Sequence, residues 1–521
     1  MPKSRISAPP VPVSDASEGR ASRPGRIGKV VIVGRDAALW LAVNVLWTAF
    51  HRTGLEIVAV ELPSRLRTGD LFPTLQNQQA FHGLMGIKEG PLMAATQATY
   101  SLAQRFAGFS GARTAFIHGY GAYGAPINTV PFHHYWMKAR ANGLKAGYDD
   151  FSLNAVAARQ GRFFMPDADT DSFAECDYVY HLPAAAYCQV LRQVALQRGI
   201  EPVQAGLGAV SRDPQSGYIT AIGLSNGQTV TGDFFIDATG AQSLLLGTAL
   251  KTEFLSWRQW FPCDRLLTTT GPAIRALPAL SEVQAFRSGW VGLFPLRDRT
   301  AVQQAYASAD LDEEEALNSA AEVTAMRFGA ESVVTPYAPG RRRSIWSANC
   351  VGIGEAAAVF DPIDSVGIQV ILAGLAHLTS LFPVDAHMGP ESAEYNRNVT
   401  ATFEHIRDYQ IGHYKLNQRH GEPLWDDCRA TAAPDSLGYK IDLFEARGHL
   451  VEYDEETFVD HDWHSLFIGH GLMPRAYDPM VDQTPDKDVI QRLRQILATI
   501  GRRVEAMKPM EAYFTRPAPV T

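Results

Sequence analysis

The stretch KVVIVGRDAALWLAVNV, residues 29–45, decides the fold. Four apolar residues, Val30 to Val33, run into Gly34, and an apolar segment from Ala37 to Phe50 follows. A short apolar run closed by glycine reads as a buried strand, and the longer segment reads as a helix. The next apolar run, EIVAVE at 56–61, is a second strand. Strand, turn, helix and strand make a β-α-β unit of ordinary length. Its turn stands where a dinucleotide fold writes G-x-G-x-x-G, and Glu61 at the end of the second strand is placed to bond a ribose hydroxyl. Here the turn reads Gly34-Arg35-Asp36-Ala37-Ala38-Leu39, so the second and third glycines are missing.

Two later segments repeat the strand-turn pattern. GDFFIDATGAQSLL, 232–245, ends a strand in Asp237-Ala238-Thr239-Gly240, a tight turn that brings backbone towards a ligand. NCVGIGEAAAVFDPIDSVGIQVIL, 349–372, runs from a strand through Gly354 and Glu355 to Pro362, and opens a helix near Gly367. An acid beside glycine suits a ribose or ribitol hydroxyl, and a helix N-terminus suits an anion or an electron-rich ring edge. Each segment alone is an ordinary β-turn-α junction. The three in this order point to a dinucleotide-binding α/β fold.

The whole chain sets the frame. It has 521 residues, 46% hydrophobic and 20% charged, enough for a large core. A formal net charge of −8 argues against a nucleic-acid partner. Five scattered cysteines without C-x-x-C spacing suggest neither a zinc site nor a redox pair, and suit a reducing cytoplasm. No apolar run reaches the length of a membrane span. Residues 1–27 read as a disordered tail without the apolar core of a secretory signal. Residues 28–440 read as the cofactor- and substrate-binding domain, and 441–521 as a helical region packed on it. The pattern finds no internal repeat. Helices are predicted from Pro183 to Gly199, after the acids at 310–315, after Gly367, and along the stripe Val489, Leu493, Ile496, Ile500 and Val504. Thr484 is the predicted cap of that last helix.

The order of these segments resembles the flavin-dependent tryptophan halogenases, a branch of the FAD monooxygenase fold. The resemblance runs from about Lys29 to Asp482. It is carried by PFHHYWMKAR (131–140), YHLPAAAYCQVLRQVALQRGI (180–200), SGWVGLFPLRDRT (288–300), RRRSIWSANCVGIGEAAAVFDPIDSVGI (341–368), RDYQIGHY (407–414), GEPLW (421–425) and WHSLFIGHGLMP (463–474). It implies an α/β (α+β) fold with a Rossmann-like part and a mainly helical C-terminal part. It also implies FAD, delivered reduced as FADH2 by a separate flavin reductase, with oxygen and chloride or bromide as co-reactants. In that family halide becomes hypohalous acid, which reaches a lysine and then an electron-rich aromatic substrate beside an acidic residue. On this chain the resemblance assigns cofactor contacts to Gly34, Ala37, Ala38, Glu61, Asp237, Gly240, Gly354, Pro362 and Ile368. Halide contacts fall on Val366 and Gly367, and the reaction carboxylate with its neighbour on Asp364 and Ser365. A homodimer is compatible with the family.

The departures fall on chemical positions. Asp36 puts a carboxylate where backbone should meet pyrophosphate, and a like-charge pair near 4 Å is worth about 4 kcal/mol at an effective dielectric near 20. Leu39 is expected to crowd the same turn. In LFPTLQNQQAFHGLMGI, 71–87, the lysine position falls on Asn77 or Gln79, neither of which is an amine. Lys88 lies beyond the motif and would serve only if displaced. In the W-x-W-x-I-P motif Trp290 and Pro295 remain, but the second tryptophan is Gly292, which is expected to open the site. Asp364 is one methylene shorter than the family's glutamate, a change in reach of roughly 1.5 Å. Val366 replaces a threonine. Two readings stay open: an active halogenase or non-halogenating monooxygenase, and a homologue that keeps the fold as a binding partner. His133 and His134 read as structural, and the acid-rich loop around His461 and His464 gives no metal site.

Overall fold

The computed structural model describes residues 25–110, 115–170, 175–329 and 331–514. Most of the tail drawn at 1–27 lies outside them, although Ile27 is buried and Arg26 bridges to Asp385. The strand Lys29–Gly34 is central to a six-stranded sheet, because its side chains are apolar on both faces. It pairs in parallel with Glu56–Glu61 on one side and Phe234–Ala238 on the other. Cys350–Gly352 continues the sheet in parallel beyond Phe234–Ala238. All three predicted strand-turn segments therefore end at one sheet edge, in register: Gly34 lies opposite both Ala238 and Glu61. Gly34 is required there, since a Cβ would sit 2.5 Å from the Ala238 carbonyl oxygen.

The helix Asp36–Phe50 follows at once and is buried along Leu39 to Leu46 except for Val45. It packs on Ala184–Gln197 and Gly367–Ser380, the predicted helices after Pro183 and Gly367. A seven-stranded, largely antiparallel sheet forms the second layer, with Gly289–Pro295 inside it and Ala103–Ala107 near its edge. The acids after residue 310 cap Glu313–Thr324 through a reciprocal Asp312–Glu315 capping box.

The C-terminal part is helical from Gly389–Lys415 onward. The boundary drawn at 440/441 falls inside the helix Asp435–Arg447. The predicted stripe is realised in Asp486–Ala506, which packs on Phe132–Ala141. Thr484 does not cap it: Pro485 holds the N-cap position with no side-chain bond, and the Thr484 carbonyl instead accepts from Lys138 Nζ at 2.9 Å. Among the described residues no helix is long and apolar enough to cross a membrane.

Candidate functional site

The first crevice opens at the C-terminal ends of the parallel strands, where α/β sheets bind ligands. Gly34, Ala38, Gly240 and Gly354 come together there. A Cβ on Gly354 would lie 3.7 Å from that of Ala38, and one on Gly240 would lie 3.6 Å from Glu355 Oε2. Both glycines have positive φ, at 81° and 62°. Beside them is a cavity of about 570 Å³ lined by Asp36, Trp40, Glu61 and Arg192. Glu61 accepts from Arg192 Nε at 3.1 Å and from Gln204 Nε2 at 2.9 Å, so Glu61 is held at the cavity wall.

The degenerate turn differs from its sequence reading in two ways. Leu39 is fully buried in the core, so it does not crowd a pyrophosphate. Asp36 takes a left-handed φ of 54°, which swings its carboxylate to accept from Ser64 Oγ at 2.6 Å. Arg35 is not its hydrogen-bond partner; its Nε is buried and unpartnered. Burial and the Arg65 charge lower the Arg35 pKa, opposed by Asp36. The Glu355 carboxyl is pushed up by desolvation and by the Asp36 charge. Asp237, by contrast, is spent on its own turn. Its carboxylate accepts from Thr239 Oγ1 at 2.6 Å and from Leu245 and Leu246 N–H at 2.9 and 2.8 Å. It is 0% exposed and shapes the turn. The residues at 341–343 are paired within the chain, Arg341 with Glu404 and Arg343 with Glu253.

The second region surrounds Asp364. Pro362–Asp364 is a short 3-10 turn, and Ser365 leaves it with φ 60° before the helix Gly367–Ser380. Val366 gives that helix no side-chain cap, and a Cβ on Gly367 would meet nothing within 4 Å. The first turn of the helix thus has no side-chain cap for its N–H groups, and Gly367 is exposed there. Ile368 is buried behind them. Asp364 is 3% exposed. Its Oδ1 lies 3.0 Å from His413 Nε2, and its Oδ2 has no partner. Trp290 Nε1 donates to Tyr414 at 2.9 Å, and Tyr414 and Tyr337 both donate to Asp361 Oδ2. Burial pushes Asp361 up to about 6. Pro295 is buried, and its carbonyl accepts from Thr99 Oγ1. Gly292 does not open the site: a Cβ there would already be 3.0 Å from the Phe294 ring and 3.3 Å from Trp290.

A cavity of about 650 Å³ has Gly121 and Asp462 in its wall, and the neighbouring Tyr120 has its pKa raised by burial first and then by the charges of Asp364 and Asp462. Asn77 and Gln79, the two alternatives for the lysine position, line this same cavity with Glu89, Tyr178, His461 and Asp462. Asn77 has φ 64°, and its N–H donates to Asp177 Oδ2 at 2.9 Å. No lysine is among the lining residues described; Lys88 is exposed at the start of the helix Glu89–Thr96 and does not reach the cavity. His133, His134 and His464 form a buried cluster, with the His133 ring centroid 3.9 Å from that of His134 and 4.0 Å from that of His464 and the rings tilted to one another. Among the described residues no three side chains are grouped to hold a metal. His413 and His470 were hidden in the sequence, although both lie within the late segments 407–414 and 463–474.

These features fit FAD. Glycines cradle the crevice, Arg35 keeps a buried donor without an acceptor, and the helix start at Gly367 has no side-chain cap. Asp36 and Glu355 bring two carboxyl groups to this crevice, and the Asp36 charge helps to raise the Glu355 pKa. The comparisons agree with the geometry. The tryptophan halogenase family model matches residues 29–486. A tryptophan 7-halogenase, KtzQ of Kutzneria sp. (strain 744), is 26% identical over 94% of this chain and 98% of its own. The structure of BrvH, a flavin-dependent halogenase from Brevundimonas sp. BAL3, superposes with TM-score 0.88 at 33% identity, covering 94% of this chain and 98% of that one. Xcc4156, a flavin-dependent halogenase from Xanthomonas campestris, gives TM-score 0.90 at 30% identity over 95% and 100%. The chain belongs to the tryptophan halogenase family.

Proposed function

We propose that this protein halogenates an electron-rich, indole- or phenol-like aromatic with reduced FAD, oxygen and halide, and does so without a lysine hand-off. The observation that carries the reading is Asp364: a buried carboxylate with one oxygen held and the other unpartnered, two residues from an uncapped helix start. Reduced flavin, when bound, would supply two electrons to oxygen, and oxygen at the peroxide level would take two electrons from halide to give an electrophilic halogen. Gly34, Ala38, Gly240 and Gly354 would let backbone approach it, Glu61 would take a ribose hydroxyl, and Arg35 a phosphate oxygen. The Gly367 N–H would hold the halide in place of the missing threonine hydroxyl. Asp364 steadies the positive charge that develops on the ring and takes the proton the ring loses. Ala37, Pro362 and Ile368 act through the backbone course they fix. A flavin reductase is the transient partner, and a cytoplasmic setting and a homodimer belong to the same reading.

Asn77 and Gln79 cannot carry a halogen as an amine does. Hypohalous acid would therefore reach the substrate untethered. With a reductase, FAD, bromide and indole, the expected products are mixed regioisomers that a hypohalite scavenger abolishes. Clean, scavenger-resistant products would overturn the untethered route. The absence of a cavity lysine also favours a second reading, oxygenation without halide; it is distinguished by an oxygenated product that forms in halide-free buffer.

A further inference from the structure

Asp364, His413 and His470 come from three distant elements and meet in one buried row. Asp364 lies in the 3-10 turn Pro362–Asp364, His413 near the end of the helix Gly389–Lys415, and His470 just after the helix Asp460–Gly469. His413 Nε2 is 3.0 Å from Asp364 Oδ1, and His413 Nδ1 is 2.9 Å from His470 Nε2. Both imidazoles are 0% exposed. The His413 ring stacks on Phe106 with centroids 4.3 Å apart and 24° between planes. His470 packs edge-on against Phe109 and Phe116. Two atoms end the row without partners, Asp364 Oδ2 and His470 Nδ1.

Those two ends fix the direction of the hydrogen bonds. If protons ran from Asp364 to His413 to His470, His470 Nδ1 would carry a buried N–H with no acceptor. In the opposite direction, both unpartnered atoms are lone pairs. Orphaned buried N–H groups are rarer than orphaned acceptors, so the second arrangement is favoured. His470 Nε2–H then donates to His413 Nδ1, and His413 Nε2–H donates to Asp364 Oδ1.

We infer that His413 is a positioning residue for the reaction carboxylate, with its tautomer set by His470. The inference rests on the reading of Asp364 given above. One oxygen of Asp364 is pinned by the imidazole, and the other is left as the single acceptor for the reacting ring. This answers the shortened side chain: an aspartate has less reach than a glutamate, so its orientation has to be fixed from behind. His413 touches neither substrate nor cofactor in this role.

Two variants separate positioning from packing. His413→Gln places an amide N–H near the Nε2 position but loses the ring. His413→Phe keeps the ring against Phe106 and deletes the donor. With reduced FAD, bromide and indole, His413→Gln should retain kcat within about fivefold, whereas His413→Phe should lose about 100-fold with KM for indole little changed, the scale of a misplaced catalytic group. A His413→Phe variant as active as His413→Gln, or more so, would mean packing alone and overturn the inference. Asp364→Asn run alongside distinguishes the two claims: full turnover there sinks the reading of Asp364 itself, and the positioning role with it. The tautomer is checked without turnover by nitrogen NMR of the histidine-labelled wild-type protein, with the His413 signal identified by its loss in His413→Gln. A proton on Nε2 is expected, and a proton on Nδ1 overturns the inference even if His413→Phe and Asp364→Asn misfold.

Discussion

Lowering the pH from 7 to 5 should remove several kcal/mol of folding stability. Burial pushes His82 and His181 down to about 4 and His133 down to about 3. A histidine in the unfolded chain titrates near 6.5. The unfolded state therefore takes up protons between pH 7 and 5 while these three rings in the folded state stay neutral. Stability contributed this way is present above 6.5 and is lost as the pH falls towards the folded values. Each ring loses about 2 kcal/mol over the interval, and the three together about 5 kcal/mol. Asp361 works the other way, because its folded value of about 6 lies above the ordinary 3.8. Protonating it in the folded state returns about 1 kcal/mol. His464 and His470, held well below 6.5 by burial and by neighbouring histidines, add to the loss. A domain's whole stability is about 5–15 kcal/mol, so the net loss is a large fraction of it. Urea unfolding at pH 7 and pH 5 checks this: the midpoint should fall steeply at pH 5, and an unchanged midpoint would mean that these rings are not buried neutral.

Asp364→Asn should lower halogenation at least about 100-fold while leaving reduced-FAD affinity within about threefold. The geometry dictates how the amide would sit. With His413 Nε2–H facing position 364 at 3.0 Å, the amide oxygen takes the place of Oδ1. The amide NH2 then occupies the unpartnered Oδ2 position. A hydrogen-bond donor replaces the acceptor where positive charge develops and where the ring proton has to go. The negative charge is lost as well. Product analysis against a parallel flavin titration separates the two effects. Equal loss of binding and turnover would place Asp364 in flavin binding and not beside the ring.

Much of this site was legible in the chain because its segments obey local rules. Val30 to Val33, Gly34 and Glu61 follow strand alternation with helices and the geometry of a parallel sheet edge, so their meeting with Gly240 and Gly354 was foreseeable. The orientation of side chains was not. Leu39 was read as crowding a phosphate because it stands at a glycine position, whereas helix rotation buries it in the core. The carboxylate of Asp36 turns to Ser64 because the residue is left-handed, a backbone choice that no motif spacing reveals. Gly292 seemed to open space, yet Phe294 and Trp290 already border it. The row behind Asp364 links residues 49 and 57 positions apart, so only tertiary packing brings it together. Conversely, the sequence reading left Asn77 and Gln79 as alternatives for one position, and the fold adds that both line one cavity.

The most direct measurement is an anaerobic equilibrium titration of the wild-type protein and of Asp36→Gly with reduced FAD. Binding in the micromolar range is expected for the wild type, and about tenfold tighter binding for Asp36→Gly, which removes a carboxylate and relieves the left-handed residue. No binding by either protein at high micromolar reduced FAD would contradict a flavin-using enzyme and leave the fold as the scaffold of a binding partner.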